Sequence, residues 1–97
     1  MINTAVRNIK RPVSVPDESK KAVMQVIDTE KYPDMTEEGL YLIWSSKTLD
    51  NWKAQVSSDI EGFPLYEITH NGNKNETYVD VYTKQSNHKL VNNEGEK

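Results

Sequence analysis

The sequence predicts an α+β fold: one N-terminal helix packed on one face of a four-stranded antiparallel β-meander. Three observations carry this. Ala22, Val23, Val26 and Ile27 recur at the i, i+3/i+4 spacing of one helical face. From Leu40 onward the apolar period changes to two. Four alternating runs then follow, separated by short polar turns, with no helical segment between them to carry a parallel crossover.

The helix begins at Ser14-Val15-Pro16-Asp17. Ser14 suits an N-cap, and Pro16 suits a first turn, where its missing N–H costs nothing. Pro33 is expected to stop the helix by Lys31 or Tyr32. Leu40, Leu42 and Trp44 make the apolar side of the first strand, and Trp52, Ala54, Val56 and Ile60 that of the second. Tyr66 and Ile68 do so in the third, and Thr77, Val79, Val81 and Thr83 in the fourth. Asn71-Gly72 is a type I′ hairpin signal. A two-residue turn there pairs Tyr66 with Thr77 and sets Glu67 opposite Glu76. The helix is expected on the face bearing Leu40, Leu42, Trp44, Trp52, Val56, Ile68 and Val79.

Residues 1–13 lack any period and read as a flexible arm. Residues 14–85 form the single domain, and residues 86–97 a flexible tail. Ninety-seven residues support no more than one domain and a modest core.

Charge and composition narrow the function classes. The chain has no cysteine, which removes disulfides, thiol catalysis and thiolate metal sites, and points to a cytoplasmic location. No apolar run is long enough for a signal peptide or a membrane span, so no membrane partner is expected. The net charge is −3, unevenly spread: Arg7, Lys10 and Arg11 give the arm +3 with no acid, whereas residues 36–85 hold four lysines against eight acids. An acidic folded part disfavours nucleic acid, because phosphate neutralisation needs clustered Lys and Arg.

The chemical motifs are sparse. His70 and His88 stand eighteen residues apart, unlike zinc-ligand spacing, and read as surface histidines. Glu67, Glu76 and Asp80 on one face read as solvated acids rather than an acid–base pair. In Ser45-Ser46-Lys47 adjacent side chains point to opposite faces, which disfavours a Ser–Lys dyad. Four scattered glycines build no phosphate loop. No cofactor, metal or catalytic activity is therefore expected. The remaining signal is aromatic. Tyr41, Tyr78 and Tyr82, with Ile43 and Leu65, point away from the helix, beside Lys53, Glu67 and Asp80. Tyrosine gives large, rigid, half-polar contact area. Tyr41, Lys53, Glu67, Tyr78, Asp80 and Tyr82 are the predicted partner-binding residues.

The stretch Trp44 to Lys84 also resembles a known family. The matching residues are Trp44-Ser45-Ser46-Lys47-Thr48-Leu49, Asn51-Trp52-Lys53-Ala54 and Ser57-Ser58, followed after Gly62 by Tyr66-Glu67, Thr69, Asn71-Gly72 and Lys74, then Glu76, Tyr78, Asp80, Tyr82 and Lys84. They resemble small, functionally uncharacterised proteins encoded by phages and prophages of Gram-positive bacteria. Ser46 stands where that pattern often has cysteine, and residues 1–35 do not follow it. The resemblance implies a phage or prophage origin and expression inside a bacterial host, and it brings no activity. The expected function is a non-enzymatic interaction module that binds a host or phage protein. The alternative is a weak single-stranded nucleic-acid binder using Trp52, Lys53, the tyrosines and the basic arm.

Overall fold

The computed structural model describes residues 14–92. The expected arm, residues 1–13, and the last five residues of the expected tail lie outside them. One α-helix, α1 (Val15–Val26), and a short 3-10 turn (Glu37–Gly39) precede four strands: β1 (Tyr41–Thr48), β2 (Asn51–Ser57), β3 (Leu65–Asn71) and β4 (Glu76–Tyr82). The strands form one antiparallel sheet in the order β1-β2-β3-β4, with α1 on one face. No helix among the described residues is long and apolar enough to cross a membrane.

The start of α1 follows the expected chemistry. The Ser14 hydroxyl accepts a hydrogen bond from the Asp17 amide at 3.4 Å, and Pro16 occupies the first turn. The end does not. Ile27 leaves the helix with ψ 149, several residues before Pro33. The cause is Asp28, whose Oδ1 accepts the amides of Glu30 at 3.0 Å and Lys31 at 3.1 Å. This side-chain turn offers the backbone an alternative to another helical turn.

The buried stripe of the helical segment is Val15, Ser19, Val23 and Ile27, strictly four apart. Val26, expected in the stripe, lies to one side and is exposed. Ser19 is fully buried because its hydroxyl donates to the Pro16 carbonyl at 2.9 Å, leaving no polar group unmatched. The stripe meets Leu40, Trp52, Ala54, Val56, Tyr66 and Ile68, flanked by Leu42, Phe63 and Val79. Residues 83–92 form neither helix nor strand and are exposed throughout.

Three expectations need correction. Trp44 is not in the core. Leu42 pairs with Val56, but the next partner of Gln55 is Trp44, so Ile43 is an extra residue in a β-bulge. The bulge reverses the alternation. Trp44, Ser46 and Thr48 turn to the face away from the helix, while Ser45 and Lys47 turn toward it. Ile60 is likewise outside the core, because β2 ends at Ser57 and Ile60 is exposed in the following loop.

The β3–β4 register also differs. Tyr66 pairs with Val81 rather than Thr77, and Asn71 with Glu76. The turn is four residues long, and Asn71 Oδ1 accepts the amides of Asn73 at 3.1 Å and Lys74 at 3.3 Å. The positive φ falls on Asn75, at 53. Gly72 serves a different need. A Cβ there would collide with the Asp50 backbone of the β1–β2 turn, and the Gly72 amide donates to Asn51 Oδ1 at 2.9 Å. The displacement from Thr77 to Val81 is even, so the predicted faces survive it.

Two outcomes follow from this packing. Trp52 is 6% exposed and Trp44 is 48% exposed. Trp52→Ala should cost about 3–5 kcal/mol by denaturant titration, and Trp44→Ala no more than about 1 kcal/mol. Leu49 in the β1–β2 turn holds φ 56 while its side chain is exposed. Leu49→Asn should relieve a cost of order 1 kcal/mol, because Asn tolerates that backbone region, and raise the melting midpoint.

Candidate functional site

The face away from α1 is built by parity. Tyr41, Trp44, Ser46 and Thr48 come from β1, and Asn51, Lys53, Gln55 and Ser57 from β2. Leu65, Glu67 and Thr69 come from β3, opposite Tyr82, Asp80 and Tyr78 of β4. All six predicted partner-binding residues therefore share this face. Tyr41, Tyr78 and Tyr82 are 42%, 56% and 51% exposed.

Polar contacts occupy the middle of the face and aromatic groups its margins. The Lys53 ammonium lies 3.3 Å from Glu67 Oε2, and Gln55 Nε2 donates to Glu67 Oε1 at 3.2 Å. The Gln55 hydrogen bond, and after it the one from Lys53, hold the Glu67 carboxyl below the ordinary glutamate range. On β4, the Tyr78 hydroxyl donates to Glu76 Oε1 at 2.8 Å, which raises the Tyr78 phenol above its usual value. Glu67 stands opposite Asp80, not Glu76, because of the longer turn. The sheet thus brings together one lysine and three acids, with Glu67 engaged by Lys53 and Gln55.

The opposite face offers less. His70 stacks on Trp52, with ring centroids 5.4 Å apart, and its Nδ1 is hydrogen-bonded to the Thr77 hydroxyl at 2.8 Å. A cleft of about 550 Å³ beside α1 is lined by these three residues with Gln25, Val26 and Val79. His88 Nε2 is hydrogen-bonded to the Ser86 hydroxyl at 3.0 Å. Among the described residues, no group of three or more His, Asp or Glu is disposed to hold a metal ion. Ser46 and Lys47 point to opposite faces, and the Lys47 ammonium donates to the Leu49 carbonyl at 2.6 Å.

A family model matches residues 16–92, from the first turn of α1 through all four strands. The chain belongs to DUF6275, a family of unknown function. No curated protein and no solved structure matches the chain. The DUF6275 match contains both faces of the sheet and begins after the basic residues Arg7, Lys10 and Arg11.

Sequence reasoning assembled the tyrosines and missed Trp44, since the bulge that turns it outward has no signature in the alternation of Leu40, Leu42 and Trp44. The Glu67 contacts carry a pH dependence. A depressed carboxyl pKa stabilises the fold above the ordinary glutamate value, and that contribution is lost as pH falls through the depressed value. The thermal midpoints of the parent and Glu67→Gln should differ at neutral pH and converge as pH drops below 4.5, the ordinary value.

Proposed function

We propose that this chain is a non-enzymatic interaction module that binds a protein through the sheet face opposite α1. The observation that carries this reading is the gathering of Tyr41, Trp44, Tyr78 and Tyr82, all exposed, on one face of a small domain. Water alone does not favour such a surface. Aromatic side chains at its margins are the residue types that dominate interface energetics.

The charge pattern suggests the partner's chemistry. Lys53 is engaged with Glu67 and the Tyr78 hydroxyl with Glu76, so the carboxylates of Glu76 and Asp80 lie beside Tyr78 and Tyr82 with no lysine salt bridge among the described residues. An arginine-bearing protein surface fits best, because guanidinium both stacks on aromatic rings and pairs with carboxylates. The resemblance to phage- and prophage-encoded proteins favours a host or phage protein in a bacterial cytoplasm as that partner.

Affinity capture with the parent, Tyr41→Ala and Tyr82→Ala tests this. Each substitution should weaken capture of a given partner roughly thirtyfold, with the fold retained by circular dichroism. Folded variants that bind as tightly as the parent would show that this face is not the site. Binding of single-stranded DNA that falls steeply with salt would favour the nucleic-acid alternative instead.

A further inference from the structure

We propose that a second copy of this chain pairs with the outer edge of β4, antiparallel and centred on Val79, to give a continuous eight-stranded sheet. The starting point is a difference between the two edge strands. An edge strand exposes unpaired N–H and C=O groups, and sheets commonly blunt such edges with a bulge, a lysine or a proline. β1 carries the bulge at Ile43, and Lys47 lies near its end. β4, Glu-Thr-Tyr-Val-Asp-Val-Tyr, has no bulge, lysine or proline, and its only charges are the carboxylates of Glu76 and Asp80. Every residue of β4 except Val79 is exposed, and no other strand among the described residues borders its outer edge. The chain after Tyr82 is exposed through residue 92, so it does not pack over that edge.

The side chains of β4 complement themselves. A two-fold axis perpendicular to the sheet at Val79 pairs all seven residues of the strand. On the face away from α1, Tyr78 then stands opposite Asp80 of the second copy, and Glu76 opposite Tyr82. Each acidic residue then faces a tyrosine and not another acid. On the helix face Val79 meets itself and Thr77 meets Val81. An axis at Asp80 sets that carboxylate against its own copy, and an axis at Tyr78 sets Glu76 against Asp80. Like charges directly opposite each other destabilise a strand pair, and the register centred on Val79 avoids them. Axes further along pair only part of the strand. Full overlap and the avoidance of opposed like charges therefore coincide at one register.

The helix face agrees. α1 touches all four strands, β2 most of all, yet leaves Val81 of β4 exposed on its side of the sheet. Pairing extends both sheet faces across that edge and shields Val81 beside Thr77 of the second copy.

The register gives the test. Light scattering and sedimentation of the purified full chain should report a dimer of about twice the monomer mass. Tyr78→Glu places like charges opposite each other twice, by symmetry, and should weaken the dimer roughly tenfold or more. Adding Asp80→Lys to Tyr78→Glu makes both pairs opposite in charge and should restore the dimer. Val81→Lys, at an exposed position on the other face, should also dissociate it. Circular dichroism should show every variant folded. A parent that is monomeric at every concentration overturns the proposal. So does a dimer insensitive to Tyr78→Glu and Val81→Lys, or one that the double substitution does not restore. These measurements contain no partner protein, so their failure leaves the proposed binding face untouched.

Discussion

A helix about 10 Å across lies on a sheet whose four strands are spaced about 4.8 Å apart, and this mismatch organises the molecule. The helix is short and single, so it can cover only part of one sheet face. Its four-residue stripe, Val15, Ser19, Val23 and Ile27, is aligned with the apolar side chains of the inner strands β2 and β3. Ser19 in the middle of the stripe is fully buried, its hydroxyl held by the Pro16 carbonyl. The result is a compact core around Trp52, Val56 and Ile68, with one whole sheet face and, among the described residues, both sheet edges left without a neighbouring strand.

The uncovered surfaces are where the chain departs from what a minimal fold requires. A solvated sheet face is served well by threonine, lysine and glutamate. This one also carries tyrosines from both outer strands and a tryptophan delivered by a bulge. The bulge has two consequences from one inserted residue. It enlarges the aromatic surface, and it distorts the β1 edge so that β1 is a poor template for another strand. The opposite edge, β4, stays regular. The asymmetry between the two edges is a property of the register rather than of composition, since both strands are rich in good strand formers.

At the far end of the sheet the two hairpin turns hold each other. Gly72 brings the β3–β4 turn against the Asp50 backbone, and Asn51 accepts its amide. That contact joins β2 to the beginning of the β3–β4 turn and helps fix the longer turn. With it comes the pairing of Glu67 with Asp80, and of Tyr78 with Thr69. The charge pattern of the open face is thus set partly by a glycine that touches none of it.

Period and turn chemistry by themselves determined the α+β class, the helix start at Ser14, four antiparallel strands in sequence order, and the faces of Trp52, Val56, Tyr66, Ile68 and Val79. These rest on local rules: hydrophobic periodicity, capping and the fixed alternation of a strand. They also determined that Tyr41, Tyr78 and Tyr82 share a face with Lys53, Glu67 and Asp80, because an even change of register leaves parity intact. Tertiary structure alone decided the rest. The early helix end came from an aspartate side chain competing for backbone amides, the outward Trp44 from an inserted residue, and the four-residue β3–β4 turn from a contact between two turns distant in sequence. Each of these depends on which backbone groups find partners across the fold. Spacing along the chain carries no record of that choice.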